Sequence, residues 1–169
     1  MGCLPCDKGS YCEPGASRPL PCEGGSYSDK MGLSAASQCT PADLGHFATT
    51  GSTEQKPCAK GSFAATPGLS QCELCKPGTT SGAGSVSCDE CTAGAYAANA
   101  GQGECTLCPY PLSSGRCDVT CSICKEGYYL VESAADIFKN PTKYCKDCPP
   151  NAECSRNTTV ATMRVSRDF

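Results

Sequence analysis

The sequence has few of the residues that build a hydrophobic core. It contains no tryptophan, and leucine, isoleucine, valine and phenylalanine together number 20 of its 169 residues. Because burial of apolar surface is the main favourable contribution to folding, a single sizeable core is excluded. No run of 18 apolar residues occurs, so these residues are not expected to insert into a membrane. The fold must therefore be stabilised in another way.

Patterns typical of enzymes and of nucleic-acid-binding proteins are also missing. There is one histidine, no cluster of lysine and arginine, and a net charge of −3, which argues against a nucleic-acid partner. His46 stands in a variable position between Gly45 and Phe47 and is predicted to be an exposed loop residue. The carboxylates are scattered and are predicted to be solvated, as at Asp43, Glu54, Asp89 and Glu90. We expect a protein that is not an enzyme and has no cofactor.

Cysteine is the residue in excess. Eighteen cysteines in 169 residues exceed the content at which a chain is interpreted as a disulfide scaffold. Disulfides persist in oxidising compartments, so we predict a secreted or cell-surface location. Met1 is not followed by a basic and apolar signal segment, which indicates that a leader was removed or that the chain is a piece of a longer protein.

A repeat organises these cysteines. The stretch from Cys58 to Cys108 reads C-x13-C-x2-C-x12-C-x2-C-x13-C-x2-C. Each unit, called a module below, opens on the second cysteine of a C-x-x-C pair and closes on the first cysteine of the next. Glycine stands three residues after the opening cysteine and usually an aromatic at five, as in Gly61 and Phe63. Glycine tolerates a positive φ, so each module is predicted to be a small, irregular β-hairpin.

One module indicates which cysteines pair. Ala42 stands where an opening cysteine is due and Gln55 where the closing one is due, so two cysteines are missing together. If the opening and closing residues of each module bond to each other, this is one deleted disulfide with no stranded thiol. The rule predicts the pairs Cys22–Cys39, Cys58–Cys72, Cys75–Cys88, Cys91–Cys105 and Cys124–Cys145.

The remaining cysteines fit the rule less simply. The module that opens at Cys108 closes at Cys121 or at the additional Cys117, and both pairings stay open. Cys3 would close a module lying before Met1. Two short loops complete the predicted set, Cys6–Cys12 and Cys148–Cys154.

Two local features depart from the repeat. Asn151 stands at the glycine position of the last loop, and asparagine is the residue that best tolerates positive φ after glycine. The insert Val131 to Lys143 contains Ala134, Ala135, Ile137 and Phe138 and is predicted to hold a short helical turn.

Zinc is the main alternative use of C-x-x-C pairs, since Cys72, Cys75, Cys88 and Cys91 have the spacing of a four-thiolate site. In a tandem array, however, the substitutions at Ala42 and Gln55 would damage two different zinc pairs but only one disulfide. Redox chemistry is less favoured still, because glycine and proline exclude the helix that would activate a thiolate. We therefore predict no metal site.

The phrases Cys6-x2-Gly-Ser-Tyr-Cys12 and Pro21-Cys22-x2-Gly-Ser-Tyr-Ser, with the units from Cys58 to Cys108, resemble the ephrin-receptor-like cysteine-rich repeat. That repeat is abundant in large surface proteins of algae and other protists, and it is similar to the first-type module of tumour necrosis factor receptors and to EGF-like domains. The resemblance covers residues 3–154. It implies a small, disulfide-rich, mostly irregular fold with short β-hairpins, arranged as an elongated rod of tandem modules.

The predicted organisation follows the repeat. Residues 1–21 hold partial N-terminal modules, 22–107 tandem modules, 108–123 a variant module, 124–154 a longer module with a tight EGF-like loop, and 155–169 a polar tail. Asn157 in the tail begins a glycosylation sequon. We expect an extracellular spacer or building block of a surface filament or coat, whose partners are other polypeptides of the assembly or copies of itself. The alternative is a receptor ectodomain that binds a protein ligand.

Overall fold

The computed structural model describes residues 6–132 and 137–165. Its regular elements are very short. One α-helix, α1, spans Pro141–Tyr144, and a 3-10 helix spans Ala36–Gln38. The strands are β1 Ser10–Tyr11, β2 Leu20–Pro21, β3 Ser26–Tyr27, β4 Thr40–Pro41, β5 His46–Phe47, β6 Lys56–Pro57, β7 Ser62–Phe63, β8 Glu73–Leu74, β9 Thr79–Thr80, β10 Asp89–Glu90, β11 Ala95–Tyr96, β12 Thr106–Leu107, β13 Leu112–Ser113, β14 Ile123–Cys124, β15 Tyr128–Leu130, β16 Cys145–Asp147, β17 Ala152–Glu153 and β18 Arg164–Val165.

The chain divides into two compact units. The first comprises Met1–Cys75 and Ser81–Asp89, and the second comprises Lys76–Thr80 and Glu90–Phe169. Two-stranded antiparallel sheets β1–β2, β3–β4, β5–β6 and β7–β8 belong to the first unit. Sheets β11–β12, β13–β14, β15–β16 and β17–β18 belong to the second. The prediction of a disulfide-rich fold with short hairpins and almost no helix is confirmed.

The register of these hairpins repeats with the sequence. The residue after the glycine at the third position of a module pairs with the residue before the next opening position, as in Ser26↔Pro41 and Ser62↔Leu74. The glycine itself has positive φ, for example +96° at Gly25. This conformation carries little steric penalty for glycine, so the turn into each hairpin is set by that residue.

The module that opens at Cys108 has a shifted register. Leu112 pairs with Cys124 itself rather than with the residue before it. Pro111 stands at the glycine position and has no N–H to donate. Its carbonyl oxygen accepts a hydrogen bond from the amide of Lys125, 3.0 Å away, one residue later than the repeat would place the donor. Residues 108–123 are thus structurally different from the regular modules.

Burial is spread over small residues rather than concentrated in a large core. In the first unit the buried positions include Cys22, Ala42, Cys58 and Cys75, which share the opening position of a module. The second unit has a small cluster of buried side chains, formed by Leu112, Cys121, Cys124, Ile137, Tyr144 and Cys145. Disulfides therefore occupy much of the space that aliphatic side chains fill in larger domains.

The insert differs in part from its prediction. Its helical turn is α1, Pro141–Tyr144, which begins at the end of the insert and extends one residue beyond it. Ala134 and Ala135 lie outside the described residues, while Ile137 is buried in the cluster of the second unit. A proline at the first helical position fits the start of α1, because the fixed φ of proline matches the helix. Across the two described ranges, no helix has the length and apolar character that a membrane span requires.

Candidate functional site

The covalent framework consists of eight disulfides among the described residues. Their Cα–Cα distances lie between 5.7 and 5.9 Å, within the usual range for disulfides. The structure joins the cysteines that the opening-to-closing rule assigns to each other, and at Cys108 it selects Cys121. The eight bonds are Cys6–Cys12, Cys22–Cys39, Cys58–Cys72, Cys75–Cys88, Cys91–Cys105, Cys108–Cys121, Cys124–Cys145 and Cys148–Cys154.

The module without a disulfide is closed by a polar side chain instead. Gln55 stands at the closing position, and its carbonyl oxygen accepts a hydrogen bond from the amide of Asp43 at 2.6 Å. Its amide nitrogen donates to the Asp43 carboxylate at 2.7 Å. Ala42, at the opening position, is fully buried. Two hydrogen bonds thus connect the places that a disulfide connects in neighbouring modules, and Asp43 is not simply solvated as the sequence had suggested.

Within each unit, consecutive modules are joined by backbone hydrogen bonds of one kind. The N–H of the glycine in one module donates to the carbonyl of the residue at the sixth position after the opening residue of the next module. The donor and acceptor pairs are Gly9 with Ser28, Gly25 with Ala48, Gly45 with Ala64, Gly61 with Ser81, Gly78 with Ala97, Gly94 with Ser114 and Gly127 with Cys154, at 2.7–3.1 Å.

Two further kinds of bond recur at most of these junctions, although not where the module that opens at Cys108 meets the next one. The amide of an opening residue donates to the glycine carbonyl of the module before it, as from Cys58 to Gly45 at 2.8 Å. Each module turns a second time, usually at another glycine. The amide of the residue at this second turn donates to the carbonyl of the opening residue of the preceding module, as from Gly84 to Cys58 at 2.8 Å. Each junction therefore depends mainly on main-chain groups, and its geometry is insensitive to most side chains.

The glycines also permit a close approach between modules that are not consecutive. A Cβ at Gly25 would collide with the carbonyl oxygen of Gly68, two modules further on. Gly45 meets the carbonyl of Gly84 in the same way. Gly25 and Gly45 are therefore restricted twice, by their positive φ and by the absence of space for a side chain.

Sequence reasoning missed the small residues that receive the junction hydrogen bonds. They are serine or alanine and are 0–3% exposed: Ser28, Ala48, Ala64, Ser81, Ala97 and Ser114. The signal was present in the sequence, since the sixth position after the opening residue carries serine, alanine or cysteine in every module except the one that opens at Cys124, where it is Leu130. Cys12 and Cys154 occupy this same position. The two short disulfides thus connect the opening position to the small-residue position of a single module.

Cys117 is the one free cysteine within the described part of the chain. It occupies the second-turn position that is glycine in other modules, with φ of +58°. Its amide donates to the carbonyl of Cys91 at 3.1 Å, as the equivalent glycines do. Desolvation, followed by the hydrogen bond and negative charge of Glu90, raises the pKa of the Cys117 thiol above its ordinary value. Glu90 is also paired with Arg116 at 2.9 Å.

The other residues selected from the sequence are dispersed. His46 lies in strand β5 rather than in a loop and is half-buried, with Nδ1 3.0 Å from the carbonyl of Leu44. Asn157 is exposed and adopts a φ of +65°, and the adjacent Thr158 is buried. Asn151 has a φ of +64° at the glycine position of its loop. None of these residues lies beside a second group that would form a catalytic pair in the described structure.

The four cysteines with zinc-like spacing are distributed over three different disulfides. Cys72 bonds to Cys58, Cys75 to Cys88, and Cys91 to Cys105. Within residues 6–132 and 137–165, no group of three or more histidine, cysteine, aspartate or glutamate side chains is arranged to hold a metal ion. Sulfur atoms bonded to each other are not available as thiolate ligands.

Residues 78–118 match the family model described as tyrosine-protein kinase ephrin type A/B receptor-like. The matched segment covers the module that opens at Cys91 completely and most of the modules that open at Cys75 and Cys108. The match and the many disulfides fit a cysteine-rich protein of ephrin-receptor-like repeats. Modules of this family are receptor-type, extracellular and not catalytic by themselves. No curated protein shows a significant match to the chain.

Proposed function

We propose that this cysteine-rich protein of ephrin-receptor-like repeats is a non-catalytic structural component of an extracellular or cell-surface assembly. It acts as a spacer or as a building block of a filament or coat. Its partners are other polypeptides of that assembly or further copies of the chain.

The repeated junction supports this proposal most directly. Because the bonds between consecutive modules use backbone groups, glycine and small buried residues, modules can follow one another without a specific core at each joint. Such nearest-neighbour stabilisation is typical of repeat proteins that provide extended surfaces. The exposed side chains are left free to vary with the partner.

Cross-linking of the protein in its native source tests the proposal. A structural component should yield cross-links from several faces of residues 1–169 to other polypeptides, in a fixed stoichiometry. An isolated monomer that is contacted by one soluble ligand on one flank would contradict it. Variants in which Lys30, Lys60 or Lys146 is replaced by Arg provide a control. Each variant should lose the amine cross-links made by that lysine, which assigns those cross-links to its part of the surface.

A receptor ectodomain is the second candidate, and the description of the matched family is the observation that favours it. A parent gene that encodes a membrane span followed by a cytoplasmic kinase or signalling domain would favour the receptor. A parent gene with a much longer array of the same modules would favour the structural role.

A further inference from the structure

Two tyrosines from different modules meet in the second unit. Tyr110 follows Cys108, and Tyr128 begins strand β15 in the module that opens at Cys124. Their hydroxyl groups share a hydrogen bond. The ring centroids are 5.5 Å apart and the planes meet edge to face at 83°. The carbon atoms ortho to the two hydroxyls are therefore near neighbours.

The pair is accessible to solvent and has charged groups beside it. Tyr110 is 61% exposed, so a soluble oxidant can reach its ring. Lys125 lies over that ring, with Nζ 5.2 Å from the centroid. Tyr128 is half-buried and stands directly opposite Asp147 in the register of the β15–β16 hairpin. The hydrogen bond with Tyr110, followed by desolvation and the charge of Asp147, raises the pKa of Tyr128 to about 12.

No described disulfide connects the two modules to which these tyrosines belong. Cys108–Cys121 closes the first and Cys124–Cys145 closes the second. A covalent bond between the rings would join the modules directly and would close a loop that contains the segment between the two disulfides. It would thus add a kind of connection that the cystine framework does not provide.

We propose that Tyr110 and Tyr128 are a site of oxidative cross-linking and form an intramolecular dityrosine. The oxidant is hydrogen peroxide acting through an extracellular haem peroxidase. Each phenol gives up one electron and one proton, and the two phenoxyl radicals join through a new bond between ortho ring carbons. The two hydrogens displaced from those carbons restore the hydroxyl groups. Peroxide accepts the two electrons and two protons, its O–O bond breaks, and two water molecules leave.

The geometry favours this pair over the other aromatic contact in the described chain. Tyr96 and Phe138 lie 5.8 Å apart, but phenylalanine has no hydroxyl from which a phenoxyl radical can form. Closure of the new bond requires the Tyr110 ring to rotate from its edge-on position, which an exposed side chain can do. The product would form in a spacer and in a receptor alike.

Treatment of the disulfide-intact chain with a haem peroxidase and limiting hydrogen peroxide tests the site. At low protein concentration we expect a monomer lighter by two hydrogen atoms, dityrosine fluorescence, and one linked peptide pair that contains Tyr110 and Tyr128. Tyr110→Phe should abolish the intramolecular product. Tyr129→Phe, which alters the neighbouring phenol of the same strand, should leave it unchanged.

The disulfide mass and hydrogen-exchange protection of each variant show whether its fold is retained, since both substitutions remove only a hydroxyl. An undiminished intramolecular product in Tyr110→Phe would overturn the assignment. Linked peptides that pair other tyrosines, links formed only between chains, or oxidation of tyrosine with no link at all would overturn it equally.

Discussion

The module closed by Gln55 allows a direct test of the repeat geometry. Replacing Ala42 and Gln55 together by cysteine should create an additional disulfide between them. The two positions are equivalent to those joined by Cys58–Cys72 and Cys75–Cys88, whose sequence separations are 14 and 13. The opening cysteines of those modules are fully buried, and Ala42 is fully buried as well. A cysteine at position 42 would therefore have a similar environment.

The magnitude follows from the loop that the bond closes. A disulfide across about 15 residues contributes about 3 kcal/mol in the chain-entropy model. Two hydrogen bonds are lost, one donated by the Asp43 amide to the Gln55 side chain and one donated by that side chain to the Asp43 carboxylate, at about 0.5–1.5 kcal/mol each. The net stabilisation of the module should therefore be about 1–2 kcal/mol, because the lost bonds are solvent-exposed and lie at the weaker end of that range.

The measurement combines a thiol assay with denaturation without reductant. Under oxidising conditions the double variant should have no more titratable thiol than the parent chain, and peptide mapping should find the new bond. Hydrogen exchange in denaturant should show later opening of residues 42–55. The double serine variant is the matched control and should open earlier than the parent. Two persistent free thiols, or a bond that forms and destabilises the module, would refute the equivalence of the positions.

Four other outcomes follow from the same structure. Intact mass before and after reduction should give eight disulfides and no bound zinc; stoichiometric zinc with titratable thiols would contradict the framework. Gly25→Ala should destabilise its module by clearly more than the roughly 1–2 kcal/mol of positive-φ strain, whereas Gly15→Ala, which has open space around it, should cost only that strain; equal effects would argue against the close approach. Replacing Cys75 and Cys88 together by serine should remove about 3 kcal/mol locally, with hydrogen-exchange protection lost in one module rather than throughout the unit. Alkylation of native Cys117 should accelerate only above the pH range of an ordinary thiol, because its raised pKa lowers the thiolate fraction at neutral pH; peptide mapping that shows fast labelling at neutral pH would contradict this.

The positions of the hairpins could be predicted from the sequence, because the residues that determine each hairpin lie within one module. Glycine three residues after an opening cysteine fixes a turn, and the opening and closing cysteines are 13 or 14 positions apart in the modules that open at Cys58, Cys75 and Cys91. The joint absence of cysteines at Ala42 and Gln55 also carried information about pairing that cysteine spacing alone lacks. Asn151 at the glycine position followed from the same local rule, and its φ is positive in the structure.

The insert shows where local reasoning was only partly successful. The apolar residues around Ile137 suggested a helical turn, yet the helix is Pro141–Tyr144 and Ile137 packs in the cluster of the second unit. A run of a few apolar residues does not distinguish a helix from a buried irregular segment. Tertiary packing decided between them, because Ile137 is buried in that cluster without a helical backbone around it.

What the sequence determined by itself was the module: the disulfide scaffold and the hairpin turn, which depend on residues of one repeat unit. What only the tertiary structure decided was how modules contact each other. The carbonyl of Gly68 against Gly25 brings together residues two modules apart, and the hydroxyl of Tyr110 against that of Tyr128 joins residues that no spacing rule relates. Such contacts depend on how neighbouring modules are oriented, and main-chain hydrogen bonds set that orientation. Every residue has a main-chain carbonyl that can accept such a bond, so the sequence does not show which carbonyl is used.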